Sequence, residues 1–170
     1  MSHQAYTTAV FVDSNVCVGG YLAAAHAGFV RTNGFARIVK MIADDGTYPG
    51  GFHRHQGVKY YVAAADDVPT YDIRGDIVGA VKFIQKGVLS GEKVLVHCHA
   101  GVSRSVTIVV AYLMICRGHT LSSALGSVRA VRPIANPNSG FMATLRSIDK
   151  SLARLRAPPR VAEYRTDTPP

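Results

Sequence analysis

The chain has 170 residues, enough for one domain with a sizeable core, and 48% of them are apolar. A formal charge of +8 favours acidic partners, among them phosphorylated substrates, although nucleic acid or an anionic membrane surface would feel the same field. Three cysteines, Cys17, Cys98 and Cys116, form neither an even disulfide set nor a Cys-x-x-Cys pair, which argues against a disulfide scaffold and for a reducing compartment.

Residues 1–10 lack the basic start and long apolar core of a secretion signal, and Ser2 stands where myristoylation needs glycine. The longest apolar run, Val106 to Cys116, is too short for a membrane span and reads as a core helix. A cytoplasmic protein, or a nuclear one, is expected.

In chain order, Val10-Phe11-Val12 and Val16-Cys17-Val18 read as short strands around the turn Asp13-Ser14-Asn15. Tyr21 to Ala27 is alanine-rich and predicts a helix ending near Gly28, and Ala36 to Met41 returns to a strand pattern. Asp44 to Gln56, with three glycines and a proline, predicts a loop. Val58 to Val62 is a strand, and Ala63 to Ile73 leaves it as a second loop. Ile77, Ala80, Val81, Ile84 and Val88 recur at helical spacing between Asp76 and Ser90, with Asp72 placed to cap that helix or sit in its first turn. Thr120 is a candidate N-cap for a helix over Leu121 to Val131, which Arg132-Pro133 ends. Pro137-Asn138-Ser139-Gly140-Phe141 opens a last helix running to about Arg156, with Asn138 as its cap and a brace for the neighbouring loop. Arg129 and Arg132 read as solvated charges near a helix end, with a place on the rim of the site as the alternative. Ala157 to Pro170 has four prolines and no apolar period, so a disordered tail is expected after a unit spanning 1–156. The alternation of strand and helix predicts an α/β layer fold.

The most informative stretch is His97-Cys98-His99-Ala100-Gly101-Val102-Ser103-Arg104-Ser105. The apolar run Val94-Leu95-Val96 precedes it and a helix over Val106 to Arg117, closed by Gly118, follows it, so the stretch reads as strand, tight loop, helix. Backbone N–H groups at a helix start lack intrahelical partners and carry the positive end of the dipole, which makes the loop an anion cradle. Those amides and the Arg104 guanidinium both favour a thiolate at Cys98, the form that attacks. The Arg104 fork matches two oxygens of a phosphate, and Gly101 permits positive φ or close approach to an anion. Ser105 can donate a hydrogen bond to the sulfur as it departs. His97 faces inward and holds the loop in shape. A metal site built from His53, His55, His97 and His99 is not supported by their spacing, and the histidines read as solvated or as supports behind the site.

His-Cys, five residues, Arg and Ser resemble the active-site loop of the protein tyrosine phosphatase superfamily. HCHAGVSRS followed by VTIVVAYLM is most similar to the dual-specificity phosphatases, in particular the small ones with a catalytic domain alone. The similarity runs from about Val16 to about Leu155. It implies a twisted mixed sheet of about five strands flanked by helices. It also implies metal-independent, cofactor-free hydrolysis of phosphomonoesters on proteins, at phosphotyrosine and at phosphoserine or phosphothreonine, through a phosphocysteine on Cys98. Arg104 and the amides of His99, Ala100, Gly101, Val102 and Ser103 would hold the phosphoryl group.

A poor leaving group must be protonated as its bond breaks, and a carboxylic acid on a facing loop can do so. Lined up on the family pattern, Asp67 is the match, and Asp66, one residue away, stands as the alternative. Phosphoinositide-directed relatives often carry lysines inside the loop, where Ala100 and Val102 stand here. RNA 5′-phosphatase relatives usually end it in Asn-Arg-Thr. Both departures favour phosphoprotein over those substrates, and a non-catalytic phosphate-binding module is the rival from another class.

Overall fold

A computed structural model describes residues 7–43 and 55–156. The strands are β1 (Ala9–Phe11), β2 (Val16–Gly19), β3 (Phe35–Lys40), β4 (Lys59–Val62) and β5 (Lys93–His97). Six helices accompany them among the described residues: α1 (Tyr21–Ala25), α2 (Ala27–Asn33), α3 (Arg74–Leu89), α4 (Arg104–Arg117), α5 (Leu121–Val131) and α6 (Ser139–Arg156). The sheet order is β1-β2-β5-β3-β4, with β1 antiparallel to β2 and the other pairs parallel. It is the mixed five-stranded α/β sheet expected.

Parallel strands covered on both faces read as unbroken apolar runs, and β2 and β5 do so. Their side chains nevertheless divide with period two. Val16, Val18, Val94, Val96 and Val39 enter a large core with α3 to α6, while Cys17, Leu95 and Ile38 enter a smaller one with Ala24 of α1 and Val30 of α2. Registers Val18↔Val96 and Val39↔Val96 place β5 at the centre, so the residue after its end emerges mid-sheet.

Helix α4 is buried from Ser105 through Met114, which explains why its β-branched run is helical despite modest propensity: it is surrounded, and burial outweighs propensity. Gly118 ends it in the left-handed region (φ 76°), its N–H returning to the Leu113 carbonyl. The helix starts at Arg104, two residues before the apolar run that announced it. The expected cap of α5 is present, with Thr120 Oγ1 accepting from the Ser123 N–H at 3.2 Å. Asp72 accepts from the Arg74 N–H (3.1 Å) and guanidinium (2.8 and 2.7 Å) at the start of α3, and those bonds lower its pKa to about 2.

Two expectations need correcting. The first helix ends at Ala25, and Gly28 lies inside α2, which was not anticipated. The His26 side chain accepts from the Phe29 N–H to open α2, a cap role the Ser/Thr/Asp/Asn signals do not cover, and Gly34 (φ 70°) closes it. Arg132 is not solvated: it is 3% exposed. Arg129 is exposed, with its Nε on the Ala135 carbonyl at 3.0 Å. Most of the loop expected over Asp44 to Gln56, His53 included, lies outside the described residues, as does the tail expected over 157–170. His55 is described, and its Nε2 sits 2.7 Å from the Ala24 carbonyl, tying the approach to β4 to α1.

Candidate active site

Cys98 directly follows β5 and is 1% exposed. Its Sγ lies 3.3 Å from the Gly101 N–H and 3.3 Å from Ser105 Oγ, so a main-chain donor and a hydroxyl converge on the sulfur. The loop from His99 to Ser103 then turns into α4, whose first residue is Arg104. Gly101 has φ +66°, and a Cβ there would stand 2.5 Å from the Gly19 carbonyl carbon and oxygen. Both backbone conformation and close approach therefore require glycine.

Arg132, at the end of α5, reaches beneath this loop. Its Nε donates to the Gly101 carbonyl at 2.5 Å and its Nη2 to the Ala100 carbonyl at 2.9 Å, while Nη1 reaches the Thr8 carbonyl and hydroxyl at 3.3 Å. Carbonyls held underneath keep the neighbouring amides free to face the cleft. Burial lowers the Arg132 pKa, with the Cys98 and Cys17 sulfurs opposing that shift. No signal within a single sequence distinguishes this arginine from a solvated one, because its partners lie 31 and 32 residues away.

Behind the loop, His97 is 1% exposed and its Nδ1 donates to the Cys98 carbonyl at 3.2 Å. Burial pushes its pKa down to about 4, and Lys40 adds to the shift while that hydrogen bond opposes it. His99 faces the cleft, and its pKa is lowered by burial and then by Arg104. The Tyr21 ring stacks on it at 6.0 Å, and the Tyr21 N–H donates to the His99 carbonyl at 2.9 Å. Among the described residues no three His, Cys, Asp or Glu side chains gather as a metal would need.

Across the cleft, Arg104 Nη1 donates to the Ala65 carbonyl at 2.9 Å, and Arg104 Nε lies 3.5 Å from Asp67 Oδ2. The latter is an ion-pair contact rather than a hydrogen bond, leaving Nε without a hydrogen-bonding partner. Asp67 Oδ1 accepts from Ser103 Oγ (2.6 Å) and from Asn138 Nδ2 (3.0 Å). The Asn138 N–H donates to Ser103 Oγ at 3.1 Å, which closes a ring of three residues from three separate segments. Asn138 Oδ1 also accepts from the Phe141 N–H at 3.0 Å, so the same side chain caps α6. Asp66 is exposed and does not line the cleft.

The cleft between these segments has a volume of about 350 Å³ and is lined by Asp67, Cys98, His99, Ala100, Val102, Ser103, Arg104, Asn136 and Asn138. A thiol, a guanidinium and a carboxylate thus face one small opening. Sequence reasoning named all three and did not name Asn136, Tyr21 or the Ala65 carbonyl, whose roles arise from chain segments far apart.

Known proteins are similar to this chain. Mouse dual specificity protein phosphatase 22 is 45% identical over 95 residues, covering 56% of this chain and 52% of the relative, so the chain spans about half the length of that protein. Mouse dual specificity protein phosphatase 13B is 36% identical over 143 residues, or 82% of this chain and 72% of the relative. The crystal structure of human DUSP28 superposes with a TM-score of 0.77 at 28% identity, covering 85% of this chain and 95% of that one. Residues 21–151 match the family model for the dual specificity phosphatase catalytic domain, and the chain belongs to that family.

Proposed function

We propose that this protein hydrolyses phosphomonoesters on phosphorylated proteins, at phosphotyrosine and at phosphoserine or phosphothreonine, through a phosphocysteine on Cys98. The observation that carries this reading is the placement of Asp67, Cys98 and Arg104 on one small cleft, with Arg104 Nε 3.5 Å from Asp67 Oδ2. A module that only bound phosphate would need the guanidinium and the amides but neither the acid nor the sulfur.

In the first step the Cys98 thiolate attacks phosphorus in line, an S–P bond forms and the P–O bond to the leaving group breaks. Arg104 offers Nε and Nη2 to two phosphoryl oxygens while Nη1 stays on the Ala65 carbonyl, and the amides of residues 99–104 hold the developing charge. Asp67 Oδ1 is held by Ser103 and Asn138, so Oδ2 delivers the proton to the departing oxygen. In the second step water attacks phosphorus, Asp67 takes its proton, and the S–P bond breaks with the Ser105 hydroxyl donating to the released sulfur. Positive charge comes from the loop and Arg104, so the reaction calls for no metal.

The alanine and valine at positions 100 and 102 of the loop support phosphoprotein over phosphoinositide. No helix among the described residues is long and apolar enough to cross a membrane. The three free cysteines support a reducing compartment, cytoplasm or nucleus.

Turnover of p-nitrophenyl phosphate under reducing conditions tests the enzyme reading. Cys98→Ser should remove essentially all activity, Asp67→Asn should lose about 10²–10⁴-fold, and EDTA should change nothing. Absence of turnover by the wild type would leave only the binding module. Phosphopeptides, phosphoinositides and triphosphate RNA assayed side by side then decide substrate class.

A further inference from the structure

Gly140 lies in the first turn of α6, where glycine is among the poorest helix formers, and its φ is not in the left-handed region. Backbone conformation gives no reason for glycine there. Contact does: a Cβ at this position would stand 1.9 Å from the Pro69 carbonyl oxygen, 2.7 Å from its carbonyl carbon and 2.8 Å from its Cα. The neighbour is backbone, so no flexible side chain can swing aside.

Pro69 is two residues beyond Asp67. On the other flank, the Ala65 carbonyl is held by Arg104 Nη1 at 2.9 Å. Asp67 is therefore suspended between two anchors, one on the phosphate loop and one on the start of α6. Proline fixes its own φ, so a push at Pro69 is passed along the chain rather than absorbed there. Restoring an ordinary carbon–oxygen separation at Gly140 requires the loop to retreat by about 1 Å or more, and misplacement on that scale costs on the order of 10²-fold in a reaction that depends on aligned groups.

We propose that Gly140 is a positioning residue: by lacking a side chain it lets the loop carrying Asp67 seat on α6 at the depth where the carboxyl reaches the leaving oxygen. The proposal rests on Asp67 being the general acid. Its signature is a leaving-group effect, because an acid matters most when the departing oxygen is most basic.

The test is kcat/KM over a series of aryl phosphates from p-nitrophenyl phosphate to phenyl phosphate. Wild type should show a shallow dependence on leaving-group basicity and Asp67→Asn a steep one. Gly140→Ala should steepen the dependence in the same direction as Asp67→Asn but with smaller losses, less than about 10-fold on p-nitrophenyl phosphate and about 10²-fold on phenyl phosphate. Ser139→Ala, an exposed neighbour in the same turn, should keep the wild-type slope.

Pro69→Gly approaches the same contact from the loop side and should also steepen the dependence; it decides the matter should Gly140→Ala not fold. Equal loss across the series for either folded variant, or a wild-type slope, overturns the proposal. A wild-type slope for Asp67→Asn overturns the general-acid assignment instead, so the two failures are distinct.

Discussion

Replacing Arg132 by methionine keeps much of the side chain's length and removes every donor. The guanidinium is buried and serves the Gly101 and Ala100 carbonyls at 2.5 and 2.9 Å, with a longer pair of contacts to Thr8 at 3.3 Å. Each buried carbonyl left without a donor costs about 1–3 kcal/mol, giving about 2–6 kcal/mol for the two close ones. The relief of no longer burying a charge offsets part of this, so a net loss of about 3 kcal/mol is expected. For a domain of this size that lowers Tm by roughly 10 °C.

The kinetic effect should be larger than the loss of stability suggests. Freed carbonyls can turn toward the cleft, replacing a donor with an acceptor where phosphoryl charge develops, and loss of one such donor costs on the order of 10²-fold. Arg132→Met should therefore lower kcat/KM about 10²-fold at temperatures where it remains folded, and weaken inhibition by inorganic phosphate in parallel. Arg132→Lys restores charge without the fork and should recover only part of either effect. Calorimetry together with p-nitrophenyl phosphate kinetics measures both. An Arg132→Met protein with wild-type Tm and wild-type kcat/KM would refute the claim that this arginine holds the loop.

The buried His97 should make stability depend on pH. Its folded pKa of about 4 lies below the unfolded value near 6.5, so the unfolded state takes up the proton first as pH falls. Stability is then fully present above about pH 6.5 and declines toward pH 4, by about 3 kcal/mol from this group. Urea unfolding from pH 4 to 8 should show a shallower slope for His97→Gln, and an unchanged slope would remove His97 as the source. Gly101→Ala combines a φ of +66° with a 2.5 Å clash on Gly19, and should abolish detectable turnover while lowering Tm; a near-normal kcat would show that the loop can yield. Ser105→Ala removes the hydroxyl 3.3 Å from the sulfur, and rapid-quench kinetics should show an initial burst of phenol release followed by slow breakdown of phosphocysteine. Equal slowing of both phases would place Ser105 outside the second step.

What could be read without coordinates was local. The spacing from Cys98 to Arg104, the strand before it and the apolar helix after it are signals within twenty-odd consecutive residues, and they set the cradle. The Thr120 cap and the Pro137–Phe141 opening of α6 are equally short-range and fell where expected. Asp67 stood over Asp66 only through resemblance to a family pattern, since adjacent acids on a loop look alike until the loop is folded against something.

Tertiary structure decided the rest. It turned Asp67 into the ring with Ser103 and Asn138, left Asp66 off the cleft, and carried Arg132 from an apparent solvated helix end to the underside of the phosphate loop. It placed α2 through a glycine that had looked like a stop, and pressed Gly140 against Pro69. Spacing along the chain records what one segment needs for its own hydrogen bonds. Which distant carbonyl an arginine must satisfy, or which backbone a glycine must admit, is settled only when the segments pack.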